Sequence, residues 1–267
     1  MRADVHMHTN FSHDSQSSPE EMILGAIQKD LKIICFTDHF DKDDFAWGQE
    51  DVFDPEEYFR VLKPLREKYK DKIDVRIGVE IGMQPYLEPF YREFVNKYPF
   101  DFVIGSVHSI CKEDIAFGAI FNGKTDDEVY KMTLEETLED VRRYDDFDVL
   151  GHLDYMTRYG KERERQYSYV KYADLIDEIL KTLIRKGKGI ELNMAGLKYG
   201  LPYAHPQKDV LKRYKELGGE IITVGADGHK PEHIAYDFSK VSAILSECGF
   251  TYYTEFSKRK PVFCQVV

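Results

Sequence analysis

Ala3-Asp4-Val5-His6-Met7-His8, then Ser18-Pro19-Glu20-Glu21, then Ile33-Ile34-Cys35-Phe36-Thr37-Asp38-His39: residues 3–39 read as strand, helix, strand. Ser18 is a helix N-cap, Pro19 belongs in the first turn, and Glu21, three residues after the cap, completes a capping signature. The same alternation continues down the chain. Asp54, Pro55 and Glu57 repeat the helix start, Thr125 and Glu128 open another, and further helices are expected over 86–97, 168–186, 206–217 and 237–248. Seven strand cores fall between them, over 3–8, 33–39, 75–80, 102–108, 149–152, 189–193 and 221–227. Apolar runs alternating with capped amphipathic stretches are the pattern of βα units around a parallel sheet. The tail, 250–267, reads as two short extended pieces around Lys258 to Pro261.

No fixed-period repeat, low-complexity tract or Pro/Gly/Ser linker divides the sequence, so one domain over 1–267 is expected. The chain has 37 Lys+Arg against 48 Asp+Glu, a formal charge of −11, with 42% hydrophobic residues. That length and apolar content exclude disorder and suffice for a large core. The negative charge argues against binding nucleic acid or anionic lipid by bulk electrostatics, and an anionic ligand needs local positive charge. No apolar run approaches the roughly 18 residues of a membrane helix, and no leader pattern is seen, so a soluble cytoplasmic protein is expected. Cys35, Cys111, Cys248 and Cys264 are too scattered for a CxxC unit and are expected to be buried free thiols.

Chemistry is concentrated at the strand ends: His6-Met7-His8, Thr37-Asp38-His39, Gly78-Val79-Glu80, Ser106-Val107-His108, Gly151-His152, Glu191-Leu192-Asn193 and Asp227-Gly228-His229. In a parallel β/α barrel these ends converge on one face, where active sites lie. Side chains two apart on a strand point the same way, so His6 and His8 can grip one ion, as can Asp227 and His229. His39, Glu80, His108 and His152 bring the donors to eight, and Asp14, with His13 as its rival, makes nine. One ion takes about four to six donors, so two or three ions are implied, with Glu80 able to bridge. Six of the nine histidines fall at strand ends, whereas His205 and His233 are expected at the surface or at a helix entry. A cluster of imidazole and carboxylate without thiolate favours catalytic zinc, manganese or iron, and paired ions hold a hydroxide and clamp a phosphoryl group.

These motifs, Asp4-Val5-His6-Met7-His8-Thr9 with Phe11-Ser12-His13-Asp14-Ser15, Phe36-Thr37-Asp38-His39, Gly78-Val79-Glu80, Gly105-Ser106-Val107-His108, Gly151-His152-Leu153-Asp154 and Gly225-Ala226-Asp227-Gly228-His229, resemble the PHP family, named for polymerase and histidinol phosphatase. The match runs over residues 3–229 and is nearest its stand-alone histidinol-phosphate phosphatase branch. The resemblance implies a distorted (β/α)7 barrel with three divalent ions. It places His6, His8, Glu80 and Asp227 on the first ion, Glu80, His108 and His152 on the second, and Asp14, His39 and His229 on the third. Some relatives have histidine in place of Asp14, and an aspartate there favours a harder ion such as iron or manganese.

The implied reaction is hydrolysis of L-histidinol phosphate by a metal-bridging hydroxide, with Asp227, His229 and Arg158 in the catalytic set. Arg158 is either a bidentate phosphate donor or part of a surface ion-pair cluster with Glu162, Arg163, Glu164 and Arg165. Asn193 has a similar choice between substrate and backbone. Asp43 and Trp47, in the acidic and aromatic loop 41–51, with Phe117 and Phe121 as pocket walls, are expected to meet the ammonium and imidazole of the substrate. A nucleotide or oligonucleotide phosphoesterase is the alternative, and a non-catalytic metal-binding module a second. The expected partner is a small phosphomonoester, with neither nucleic acid nor membrane. Three divalent ions bring +6 against −3 from Asp14, Glu80 and Asp227, so the site attracts a phosphate that the whole chain would repel.

Overall fold

The structure is a computed structural model that describes residues 2–162 and 167–266. Seven parallel strands follow one another in sequence order around a distorted barrel: β1 (Ala3–Met7), β2 (Ile33–Phe36), β3 (Asp74–Gly82), β4 (Phe102–Ser106), β5 (Val149–Leu150), β6 (Gly189–Asn193) and β7 (Ile222–Gly225). The seam between β7 and β1 is joined just beyond the strand ends. There the His8 amide donates to the Gly228 carbonyl at 2.9 Å and the Asp227 amide to the His6 carbonyl at 2.9 Å. The strands read as near-continuous apolar runs because the barrel interior buries one face and a helix layer the other.

The helices are α1 (Pro19–Gln28), α2 (Pro55–Tyr69), α3 (Glu88–Lys97), α4 (Asp126–Arg143), α5 (Ala173–Arg185), α6 (Ala195–Lys198), α7 (Lys208–Glu216) and α8 (Val241–Glu247). Full capping boxes form at Ser18/Glu21 and Thr125/Glu128. At α2 the Asp54 carboxylate caps the Glu56 amide instead, and Glu57 pairs with Arg60. The expected helices over 168–186 and 237–248 begin as 3-10 turns and are shorter than the pattern suggests.

Five of the seven strands end earlier than expected, while β3 runs on to Gly82 and β6 ends at Asn193 as expected. β1 stops at Met7 and β2 at Phe36, so His8, His39, His108, His152 and Asp227 sit past these seven strands, while His6, Glu80, Glu191 and Asn193 stay inside them. A register irregularity between Asp4 and Met7 re-aims the end of β1. Glycines make room for the large side chains that gather there. A Cβ on Gly225 would lie 2.3 Å from His6 Cβ and 2.6 Å from Glu191 Oε1.

The tail forms an antiparallel hairpin, β8 (Tyr252–Ser257) with β9 (Lys260–Gln265). It covers the mouth opposite the strand ends. Arg76 Nη1 donates to the Phe256 carbonyl at 2.9 Å, and the Phe256 ring stacks on Phe102 at 5.1 Å. Cys35 and Cys248 are buried free thiols as expected, but Cys111 is exposed and Cys264 half-buried, because each lies on a turn or an edge strand. No helix among the described residues is long and apolar enough to cross a membrane.

Candidate metal centre

The strand ends bring His6, His8, His39, His108 and His152 around one buried carboxylate, Glu80, while His229 stacks on His8 beside Asp14 and Asp227. Glu80 Oε2 lies 3.1 Å from His6 Nε2, 3.5 Å from His8 Nε2 and 3.2 Å from His39 Nδ1. Its Oε1 lies 2.9 Å from His152 Nε2 and 3.2 Å from His108 Nε2. Asp227 Oδ1 is 3.6 Å from His8 Nε2, and Asp14 Oδ2 is 2.7 Å from His229 Nε2 and 3.8 Å from His39 Nε2. Among the described residues five overlapping groups have donor atoms within 4.8 Å of one another: His6/His8/Glu80, Glu80/His108/His152, His8/His39/His229, His6/His152/Asp227 and His39/Asp41/His108.

The outer partners of the rings set their tautomers. His6 Nδ1 meets Glu191 Oε1 at 2.6 Å, His108 Nδ1 meets Asp41 Oδ2 at 2.7 Å, and His229 Nδ1 meets the Asp227 carbonyl at 3.1 Å. His8 Nδ1 lies 3.2 Å from Ser12 Oγ, which donates its own proton to Asp38 at 2.8 Å. Each of these partners can accept a hydrogen bond from Nδ1–H, which in the neutral ring leaves the Nε2 lone pair aimed inward. His39 Nδ1 and His229 Nε2 are buried without a well-angled hydrogen bond. Their nearest oxygens, on Glu80 and Asp14, are 3.2 and 2.7 Å away. Inward lone pairs converging on carboxylate oxygens fit atoms that share cations better than atoms that share protons.

Electrostatics follow from burial and crowding. Burial acts to raise the Glu80 carboxyl, but positive charge on His6, His108 and His39 outweighs it and holds the group well below the ordinary carboxylate range. Against burial, the same carboxylate, with Glu191 at His6 and Asp41 at His108, pushes those two rings well up, so in the absence of a cation they take up the protons that a bound cation would replace. Asp227 is likewise held well down against burial by His6, Arg158 and Lys198. His8 is pushed well below the usual imidazole value by burial and by neighbouring His229 and His39, so it stays neutral and able to ligate. Asp227 also has φ 53°, a left-handed conformation costly for a non-glycine residue. The hydrogen bond its amide donates to the His6 carbonyl and the Lys198 ammonium, which donates to its own carbonyl at 2.6 Å, hold it there.

His13, the rival of Asp14, turns away to pair with Asp51 and Gln49. Asn193 is fully buried and donates to Glu191 Oε2 at 3.1 Å and Asp227 Oδ2 at 3.4 Å, while its Oδ1 accepts from the Ala195 amide at 2.9 Å. Arg158 is buried rather than paired at the surface. Its Nη2 donates to Asp227 Oδ2 at 3.1 Å and its Nε to His205 Nε2 at 2.9 Å. Arg163 and Arg165, with Glu164, lie outside the described residues. His205 was expected at the surface, yet it is fully buried between Arg158 and Asp154, because the chain after β6 folds back over the strand ends. His233 is half-buried on the rim of the cleft.

Above the cluster opens a cleft of about 740 Å³ whose lining includes His39, His108, His229, Trp47 and Phe117. Trp47 and Phe117 stand edge to face at 5.3 Å, both about half exposed. Asp43 does not line the cleft. It adopts φ 61° and its carboxylate pairs with Lys42, so the acid comes from Asp41, Asp51 and Asp114 instead. Phe121 is buried against Tyr130. Sequence reasoning named Glu191 and Asp41 only within a strand end and an acidic loop, without roles of their own, and missed Asp114. Asp41, two residues beyond His39, and Glu191, two before Asn193, share the spacing that singled out the other pairs, whereas Asp114 carries no such signal.

Known proteins resemble this chain over nearly its full length. The family model described as PHP domain matches residues 4–195. The histidinol-phosphatase of Lactococcus lactis subsp. lactis is 31% identical over 261 residues, which is 97% of this chain and 96% of the relative. A probable histidinol-phosphatase of Clostridium acetobutylicum is 33% identical over 260 residues, 97% of this chain and 95% of the relative. The crystal structure of histidinol phosphate phosphatase from Lactococcus lactis subsp. lactis, complexed with zinc, L-histidinol and phosphate, matches with a TM-score of 0.89 over 98% of each chain at 31% identity.

Proposed function

The chain belongs to the PHP domain family, and from that premise we propose that it is a histidinol-phosphatase, hydrolysing L-histidinol phosphate to L-histidinol and phosphate. One observation carries the reading: six imidazoles and the carboxylates of Glu80, Asp227 and Asp14 cluster at and beneath the floor of a cleft, which His39, His108, His229 and Asp14 line, in a chain of which 98% aligns with a relative solved with zinc, L-histidinol and phosphate.

In this reading His6, His8, Glu80 and Asp227 hold one ion, Glu80, His108 and His152 a second, and Asp14, His39 and His229 a third, with zinc the first candidate. Divalent ions there supply a nucleophilic hydroxide near neutral pH and positive charge for the phosphoryl oxygens. The residues of the chain do the rest. Asp227, kept ionised by His6, Arg158 and Lys198, has no proton to give the leaving group and serves as an anionic donor to a cation and as the acceptor of the Arg158 N–H. Arg158 has five N–H donors, of which Nε and Nη2 engage His205 and Asp227, and its fork offers further N–H groups to a phosphate oxygen. Asn193 keeps Glu191 and Asp227 in register. His229, beside Asp14 on the open side, faces the leaving group.

Trp47 and Phe117 offer aromatic faces to the imidazole, and Asp41, Asp51 and Asp114 offer negative charge to the ammonium. That acidic lining favours a small cationic alcohol over a nucleic acid strand, and the free cysteines accord with the cytoplasmic setting proposed here. The test compares phosphate release from L-histidinol phosphate, a nucleoside monophosphate and an aryl phosphate. A preference in kcat/KM of about 100-fold or more for the first is expected, and a preference for the nucleotide would overturn the reading.

A further inference from the structure

Arg158 is held on four sides. Its guanidinium carbon lies 4.9 Å from the centre of the Tyr155 ring and 4.7 Å from that of Tyr199, and its N–H groups reach Asp227 and His205. The contact with His205 constrains the chemistry of both residues. Arginine only donates, so the His205 Nε2 that receives Arg158 Nε at 2.9 Å must carry its lone pair. The proton of a neutral ring then sits on Nδ1, which donates to Asp154 Oδ1. The other Asp154 oxygen accepts from the Gln207 amide at 2.9 Å, and the Thr157 hydroxyl donates to the Asp154 carbonyl at 2.8 Å, so the carboxylate is itself anchored. Asp154 and His205 are both fully buried, and neither lines the cleft.

We infer that His205, backed by Asp154, is a positioning residue that fixes the orientation of the Arg158 guanidinium and through it the binding of the phosphate group. The inference rests on the reading that Arg158 holds the phosphate. Burial, the first influence on His205, pushes its pKa down and outweighs Asp154, which agrees with a neutral ring. A protonated His205 would turn a donor towards Arg158 and break the contact.

Two substitutions separate the two ends of the ring. His205→Asn keeps a donor near the Nδ1 position for Asp154 but offers nothing at Nε2, whereas His205→Gln places a carbonyl oxygen near Nε2 for Arg158. With metal content and Tm measured alongside, H205N is expected to raise both the Ki of inorganic phosphate and the KM for L-histidinol phosphate about 10- to 100-fold. H205Q is expected to recover most of that loss. In an Arg158→Ala background, H205N is expected to cost less than about 2-fold, because its effect passes through Arg158. If H205N does not purify folded, Asp154→Asn carries the same cycle. An equal loss with and without Arg158, or no loss in H205N where R158A loses phosphate affinity, would overturn the positioning role. Unchanged phosphate affinity in R158A alone would instead overturn the reading on which it rests.

Discussion

Replacing Glu80 by Gln preserves shape and removes one charge, and the structure indicates which side of the residue fails. The Ser106 hydroxyl donates to Glu80 Oε1 at 2.6 Å, so the glutamine carbonyl stays on that side, facing His108 and His152. The new NH2 group then faces His6, His8 and His39, where an amide nitrogen has no lone pair for a cation. Losing even an outer partner of a ligand costs about 10- to 100-fold in metal affinity. Losing a direct donor on the His6 side therefore costs at least ~100-fold, about 2.7 kcal/mol, while exchanging charge for a dipole on the His152 side costs about 10-fold. Metal content by mass spectrometry after gel filtration, and phosphate release at saturating zinc, give the readout. E80Q is expected to shed metal and to turn over at least ~100-fold more slowly even when zinc is resupplied. Wild-type metal content together with a near wild-type rate would refute the bridging geometry.

Two further predictions concern pH. Burial raises the Asp114 carboxyl to about 6, so it is charged above that pH and neutral below it. KM for L-histidinol phosphate is expected to rise about 3- to 10-fold as pH falls through 6, relative to Asp114→Asn, in which substrate ionisation is the same. A flat ratio would remove Asp114 from recognition. Asp140 is fully buried with both oxygens unpartnered, and burial raises its carboxyl from 3.8 to about 8. A carboxyl raised on folding keeps a proton that the unfolded chain releases, so its favourable contribution is whole below about pH 4 and is lost as pH rises towards 8. Asp140→Asn is therefore expected to be more stable than wild type by about 1–3 kcal/mol at pH 8 and by little at pH 4. Thermal unfolding across that range checks it, and a constant difference would contradict it.

The donors were legible because they obey a local rule. His6 and His8 lie two apart at the end of β1 and meet Nε2 to Nε2 at 3.1 Å, as strand parity dictates. Asp227 and His229, by contrast, lie beyond the end of β7, with Asp227 at φ 53°, so the turn rather than strand parity sends them to different donor groups. The capping boxes at Ser18 and Thr125 are equally local. His205 was misplaced because its burial is decided by a chain segment returning over the barrel to meet Asp154 and Arg158, distant in sequence. Asp43 and Asp114 illustrate the same limit in loops. Asp43 turns to Lys42 and leaves the cleft, whereas Asp114, from the loop after β4, enters it. β5 shrinks to Val149–Leu150 because its chain leaves the sheet at once to deliver His152 to Glu80.

Dependence of turnover on cations held by the strand-end cluster is the behaviour expected of this protein. The most direct test strips the protein with a chelator, titrates zinc back, and measures bound ions and phosphate release from L-histidinol phosphate on the same samples. Turnover is expected to be absent from stripped protein and to rise only as the proposed sites fill. Full turnover by metal-free protein, or full occupancy without turnover, would contradict it.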